Sequence, residues 1–258
     1  MLSCCIWALS GPEDKVLDRV ADAGFRWIDV RPYAFSSRDA RAGIQARGLS
    51  VSCVAASVGV PEGTALDSPD TDAVSDALAH TRKVLAYGAD LDAAAAYVLP
   101  GVDGSREALL RYARSLAAAG DRASDLGLKL CVEHFPNRAL PTASATLDFL
   151  REIGHPNLYL LFDIGHAQMS GEDPADTIAQ AGPSLGYVHL DDNDGRNDQH
   201  LALMDGMLTE KVLYRTFAAL ADIGYKGAVS LELSAELPDP LEALKRSREI
   251  VSAISGIA

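Results

Sequence analysis

Eight short apolar runs recur along the chain, each followed by a longer amphipathic stretch, and this alternation constrains the fold more than any other feature. The runs are Leu2–Leu9, Phe25–Val30, Leu49–Ser57, Ala95–Leu99, Leu128–Glu133, Leu158–Asp163, Leu185–Leu190 and Ala228–Leu233. Their length and their content of Val, Leu, Ile and aromatic residues read as strands. Between them apolar residues recur at helical spacing, as at Val212, Leu213, Phe217, Leu220 and Ile223, and again at Leu241, Leu244, Val251 and Ile254. Gly24, Gly48, Gly88, Gly127, Gly154 and Gly224 fall between a helical pattern and the next strand, where a left-handed cap is wanted. Spread over 258 residues, the rhythm is about 32 residues per unit, the size of a βα repeat.

Such a repeat either closes into a barrel or stays open as a doubly wound sheet. The polar residues favour closure. Glu133, Asp163, His189 and Glu232 each stand at the C-terminal end of a successive run. In a barrel those four tips curve around one mouth; in an open sheet they would lie nearly in a row. The expected fold is therefore α/β, a single (β/α)8 TIM barrel, with one domain over residues 1–258 and no interdomain linker. Alternation adds the facing. Leu158, Leu160 and Phe162, and likewise Val229, Leu231 and Leu233, should meet the helices, while Tyr159, Leu161 and Asp163, with Ala228, Ser230 and Glu232, should line the barrel. Val60–Asp72 reads as a loop over the mouth and Asp191–Asp205 as a second long loop.

Composition narrows the classes. Acids outnumber bases 36 to 23, for a net charge of −13, so a phosphate backbone would be repelled and no nucleic-acid partner is expected. Leu2–Leu9 is too short to span a bilayer and lacks the flanks of a signal peptide, so no membrane association is expected. The cysteines Cys4, Cys5, Cys53 and Cys131 form no C-x-x-C pair and sit in apolar runs, which reads as buried, reduced thiols of a cytoplasmic protein. No glycine-rich phosphate loop appears, so no nucleotide cofactor is expected.

The four tip residues carry the chemistry. Three carboxylates and an imidazole make a hard, mainly oxygen ligand set that suits one divalent ion: Mn²⁺ first, with Mg²⁺, Co²⁺ and Zn²⁺ open. A cation would also keep converging carboxylates ionised. Four protein ligands on a six-coordinate ion leave two positions for a hydroxy-ketone or a diol. Trp7, Tyr33 and Phe135 follow strand tips and could wall a sugar. Arg31 and Arg138 also lie just past tips; for Arg31, pairing with a nearby acid is favoured over substrate binding. His134 should point away from Glu133 and act behind the ligands. His155 should lie at the barrel floor, and His80 on a helix surface.

These residues also carry a resemblance. Cys131-Val132-Glu133-His134, Phe162-Asp163-Ile164-Gly165-His166, Val188-His189-Leu190-Asp191-Asp192-Asn193-Asp194-Gly195, Asp198-Gln199-His200-Leu201, and Gly224-Tyr225-Lys226-Gly227 leading to Leu231-Glu232 resemble, in order, the xylose-isomerase-like TIM barrels. That superfamily holds sugar and sugar-phosphate isomerases and epimerases, cyclitol isomerases, related dehydratases and family 2 AP endonucleases. The resemblance implies that Glu133, Asp163, His189 and Glu232 are metal ligands and that Glu133 and Glu232 are also the catalytic acid–base pair. It implies substrate contact for His166 and, with a different spacing, for Arg196; Trp7 joins them as a substrate-facing ring. Asp198 and His200 would hold a second metal or brace the seventh loop. The epimerases carry another glutamate just beyond the Glu133 position, where this chain has Asn137-Arg138-Ala139-Leu140.

The expected activity is metal-dependent isomerisation or epimerisation of a small sugar or related polyhydroxy carbonyl compound, through an enediolate with two glutamates as acid and base. Dehydration of a cyclitol or keto acid on the same site is the first alternative, and a non-catalytic metal-binding barrel the second. The endonuclease reading would need histidines at the third and fourth strand tips, which instead read Ala55-Ala56-Ser57 and Val98-Leu99-Pro100. The partner is a small-molecule sugar or cyclitol, and assembly into a homo-oligomer is left open.

Overall fold

The computed structural model describes residues 1–256, with backbone alone for Arg38 and Asp39; residues 257 and 258 of the expected 1–258 domain lie outside the described residues. In chain order the elements are β1 (Leu2–Cys5), α1 (Glu13–Asp22), β2 (Trp27–Val30), α2 (Arg38–Ala46), β3 (Ser50–Ala55), α3 (Thr71–Asp90), β4 (Ala95–Val98), α4 (Arg106–Asp125), β5 (Lys129–Glu133), α5 (Ala143–Ile153), β6 (Leu158–Asp163), α6 (Ile164–Ser170), α7 (Pro174–Ala181), β7 (Leu185–Leu190), α8 (Glu210–Asp222), β8 (Val229–Leu231) and α9 (Pro240–Ser255). Polar residues start most of the helices. Ser37, Asp70, Ser105, Thr142, Asp163, Asp173, Thr209 and Asp239 each accept a backbone N–H of the first turn on their side chain, satisfying donors that have no partner within the helix.

The eight strands are parallel, pair in sequence order and close between β8 and β1, where Leu2, Ser3 and Cys4 face Val229, Ser230 and Leu231. The fold is a (β/α)8 TIM barrel. Two apolar layers hold it. Leu158, Leu160, Phe162, Val229, Leu231 and Leu233 belong to the layer between barrel and helices. Leu161 and Ala228 join Cys53, Ala55, Ala95, Tyr97, Cys131 and Tyr187 inside the barrel, with Tyr159 packed against them. The facing expected from alternation is thus the facing found. Small residues on β3 to β5 leave room for Tyr97, Leu161 and Tyr187, and each large apolar side chain taken out of water contributes about 1.5–3 kcal/mol.

The structure corrects several expected boundaries and positions. The first apolar run does not continue as a strand: β1 ends at Cys5, and Ile6–Ala8 turns as a 3₁₀ helix. The eighth strand is also short, so Glu232 lies just past its end. Gly88 is not a cap. It lies inside α3, where a Cβ would meet Val54 Cγ1 at 2.8 Å and Leu128 Cδ2 at 3.2 Å, so glycine there lets the helix press onto the barrel. His80 is not on a helix surface but is buried, with Nε2 3.1 Å from the Val58 carbonyl. The loop before α3 is tied down at Leu66 and Asp67, whose carbonyls accept from Ser115 Oγ and Arg111 Nε at 2.6 and 2.7 Å. All four cysteines are free and buried; burial pushes each thiol up, Cys131 to about 12, which leaves none primed as a nucleophile. Among the described residues no helix is long and apolar enough to cross a membrane.

Candidate metal centre

Parallel pairing brings the tips of β5 to β8 level, and one ligand atom from each of Glu133, Asp163, His189 and Glu232 lies within 4.8 Å of the other three. Each side chain reaches that point for a local reason. Asp163 ends β6 and caps α6: its Oδ1 accepts the His166 backbone N–H at 2.8 Å. That leaves Oδ2, which is buried and has no hydrogen-bond partner among the described residues. His134, the residue after β5, points behind the ligands. Its Nε2 accepts the Asp163 backbone N–H at 3.2 Å, so a neutral ring carries its proton on Nδ1. Burial pushes the His134 pKa well down and favours that neutral form.

His189 is turned with Nδ1 toward the carboxylates: Glu232 Oε2 at 2.7 Å, Glu133 Oε1 at 3.7 Å and Asp163 Oδ2 at 3.9 Å. Although Nδ1 is so close to Glu232, it makes no aligned hydrogen bond. Close ligand atoms without mutual hydrogen bonds are what convergence on a shared ion produces. Charge points the same way. Asp29, Glu133, Asp163, Asp191, Asp198 and Glu232 gather around His166, His189 and His200. Even with every imidazole protonated, this cluster keeps a surplus of negative charge that a divalent cation would offset. The residues present therefore fit a hard divalent ion.

The two glutamates sit in opposed environments. Burial pushes the Glu133 carboxyl up against the pull of His189 and His166. Burial would also raise Glu232, but His189, with His200 and His166, outweighs it and holds that carboxyl at about 2.

His166 lies beside this group, with Nδ1 3.6 Å from Glu133 Oε1. Its Nδ1–H donates to the His134 carbonyl at 2.9 Å, which leaves Nε2 buried, without a hydrogen bond, and 3.6 Å from Asp198 Oδ1. Burial alone would lower the His166 pKa, but Asp163, Asp198 and Glu133 raise it to about 10. Asp198 and His200 are drawn into a second group with Asp191, a residue the motif reading did not single out. His200 Nδ1 lies 3.1 Å from Asp191 Oδ2, and Nε2 lies 3.3 Å from Asp198 Oδ1. Its Nδ1 also lies 3.2 Å from the Glu232 carbonyl, so this group braces the tip of β8 as well as offering ligands. Gly165 makes room for it: a Cβ there would meet Asp191 Oδ1 at 2.2 Å. The loop that carries the group is ordered by Asp192, whose carboxylate accepts from the backbone N–H groups of Asn193, Gly206 and Leu208.

The remaining expected residues are placed differently. Trp7 stands at the mouth beside the interior apolar layer. Arg31 makes no ion pair among the described residues and instead lies 5.5 Å over the Trp7 ring, so the expected pairing with an acid is replaced by a cation–π contact. Arg138 stacks over Phe135 and donates to the Pro100 carbonyl. Phe135 packs 4.3 Å from the His166 ring. Arg196 is exposed, held by an Asx turn in which its backbone N–H donates to Asp194 Oδ1; no contact joins its side chain to the ligand cluster among the described residues. His155 lies just ahead of β6 with Nε2 3.1 Å from Asp121. Sequence reasoning missed Asp29 altogether. It lies inside β2, fully buried, with Oδ2 3.5 Å from His189 Nε2. The available signal was an aspartate inside an otherwise apolar strand, where that residue type is depleted.

A family model described as xylose isomerase-like TIM barrel matches residues 17–253. An uncharacterized protein of Methanocaldococcus jannaschii is 33% identical over 139 residues, covering 50% of this chain and 46% of that protein. The D-psicose 3-epimerase of Agrobacterium fabrum is 32% identical over 127 residues, covering 47% and 41%. An inosose dehydratase of Lacticaseibacillus casei is 26% identical over 167 residues, covering 57% and 55%. The chain thus spans about half the length of the curated relatives it matches. Among solved structures, an L-ribulose 3-epimerase superposes with a TM-score of 0.85 at 21% identity, covering 99% of this chain and 94% of that one. A D-psicose 3-epimerase solved in the presence of D-fructose gives 0.82 at 20%, covering 99% of each. At that identity the likeness concerns the fold.

Proposed function

The chain belongs to the xylose isomerase-like TIM barrel family, and on that premise we propose that it is a divalent-metal-dependent epimerase or isomerase of a small polyhydroxy ketone or aldehyde. The observation that carries this reading is the convergence of Glu133, Asp163, His189 and Glu232, with Asp163 Oδ2 and His189 Nδ1 buried and unpartnered at its centre. Those four residues would hold the ion, which supplies a Lewis acid that polarises the substrate carbonyl. Glu133 and Glu232 stand on β5 and just past β8, with two strands between them, so they approach a substrate from different sides. One takes the proton from the carbon beside the carbonyl, the C–H electron pair passing into the carbonyl to give an enediolate. The other returns a proton, to the opposite face of that carbon in an epimerase, or to the neighbouring carbon in an isomerase, where the hydroxyl proton of the first carbon also passes to the former carbonyl oxygen. His166 Nε2 is the free polar atom that meets a substrate hydroxyl, and Trp7 and Phe135 wall the mouth. Arg196 would have to swing inward to touch substrate. Asp198 and His200 brace the seventh loop through Asp191.

Dehydration of a cyclitol is the second reading. The inosose dehydratase match supports it, as does the stretch after Glu133, which holds no further carboxylate between Asn137 and Leu140. Incubation with candidate ketoses and with an inosose in deuterated water, at saturating Mn²⁺, separates the readings. Deuterium entering the carbon beside the carbonyl, with retention of all hydroxyls, supports the first. An enone chromophore supports the second. Neither exchange nor elimination on any substrate would overturn both.

A further inference from the structure

Beneath the mouth, the barrel interior carries a polar column that the catalytic reading does not use. Asp29 is its centre. β2 and β3 shift register between Ile28 and Asp29, and such an irregularity re-aims a side chain; here the carboxylate lies on the barrel axis side of β2, fully buried. One of its oxygens, Oδ1, accepts three hydroxyls from three other strands: Ser3 at 3.0 Å, Ser52 at 2.6 Å and Tyr187 at 2.5 Å. The other, Oδ2, receives the Cys5 thiol at 3.6 Å and lies 3.5 Å from His189 Nε2, a buried ring nitrogen that has no hydrogen bond among the described residues and faces this carboxylate. The His189 ring is meanwhile held edge to face by Tyr97 and Tyr187, with centroids 5.3 and 5.6 Å away.

We infer that Asp29 is the positioning residue of the metal centre: by offering Oδ2 as the acceptor for an N–H on His189 Nε2, it fixes the tautomer that leaves Nδ1 bare toward Glu133, Asp163 and Glu232. The inference rests on the metal reading of the mouth. Its force comes from the asymmetry of the carboxylate. With Oδ1 already saturated by hydroxyl donors, only Oδ2 is left for the imidazole. A ligating histidine whose far N–H is held by a carboxylate is a more basic ligand, and loss of that support typically costs 10–100-fold in metal affinity. The column therefore gives the first half of the barrel, through β1, β2 and β3, a hold on a ligand that stands on β7.

The informative variant is Asp29→Asn. Its amide oxygen must stay with the three hydroxyls, which turns the NH₂ group toward His189. The ring then has to accept at Nε2 and carry its proton on Nδ1, where an ion should bind. Calorimetric titration with Mn²⁺ should show at least a tenfold weaker affinity in Asp29→Asn than in wild type, with the melting temperature of the metal-free proteins separating this from misfolding. Tyr187→Phe, which keeps the carboxylate, should stay within about threefold of wild type. If wild type takes up no ion, the metal reading fails and this inference with it; if wild type binds and Asp29→Asn binds equally well, the inference alone is overturned. Should Asp29→Asn not fold, wild type still decides. Long-range ¹H–¹⁵N spectra of the Zn²⁺-saturated protein should show a slowly exchanging proton on His189 Nε2, and a proton on Nδ1 instead would overturn the assignment.

Discussion

Strands β5 to β8 lead into Glu133, Asp163, His189 and Glu232, buried and converging, whereas β1 to β4 end in Cys5, Val30, Ala55 and Val98 and lead into a tryptophan-bearing turn and loops without ligands. Both halves have four parallel strands with one register shift each, between β2 and β3 and between β6 and β7, so strand pairing alone does not set the contrast. Side chains do. The second half places carboxylates and an imidazole at its tips. The first half gives the mouth an apolar rim at Trp7 and sends its polar groups, Ser3, Asp29 and Ser52, inward to meet His189 from below. On the proposed reading the lesson is a division of labour: one half of the barrel would bind and react, and the other half would wall the cavity and support it.

The largest expected effects lie in the second half. Glu133→Gln and Glu232→Gln keep size and a carbonyl oxygen but remove the proton-transferring carboxylate, so each should lose at least about a hundredfold in turnover at saturating Mn²⁺. If both keep near-normal rates with metal bound, the proposed chemistry is wrong. Asp163→Ala should abolish tight metal uptake and also lower stability by about 1 kcal/mol, because the same side chain caps α6; calorimetry and thermal denaturation read the two losses separately. His166→Ala should reduce turnover while metal content stays near wild type, and metal loss would make His166 a ligand instead. Trp7→Ala, in the first half, should raise KM several-fold with metal content and kcat little changed. A collapse of metal binding there would erase the contrast between the halves.

The smallest effect is expected on the second half's outer surface. Burial tends to raise the Asp173 pKa, but Arg215 and the backbone N–H groups at the start of α7 outweigh it and hold the carboxyl below its ordinary value. A depressed carboxylate contributes stability that is present above its unfolded pKa and is lost as the pH falls through the folded one. Arg215→Ala should therefore lower the melting temperature slightly at neutral pH, by the few tenths of a kcal/mol usual for an exposed pair, with the gap closing in acid. A gap that widens in acid would reverse the sign of this assignment.

Much of this was legible from the residues. The sixth and seventh strands carry the limits expected for them, because Gly154, Pro156 and Asn157 precede one and Gly182-Pro183 the other. The four tip residues were legible because each is polar at the end of an apolar run. The first strand was overdrawn because Ile6, Trp7 and Ala8 stay apolar while the backbone turns. His80 was misplaced because the Val58 carbonyl that its ring meets comes from a loop that periodicity says nothing about. Asp191 was hidden in the run Asp191-Asp192-Asn193-Asp194, which looks like a solvated loop but has its first three residues buried. Asp29 is the sharpest case. Its partners Ser3, Ser52, Tyr187 and His189 are scattered over three strands, β1, β3 and β7, and only barrel closure brings them together.

The central claim is that four residues of the second half build one divalent-metal site. Elemental analysis of protein purified without chelator tests it most directly. About one tightly held divalent ion per chain, lost in Asp163→Ala and retained in Trp7→Ala, is the expected result. Protein that carries no metal and takes up none on dialysis against manganese, or that holds three zinc ions per chain, would contradict it.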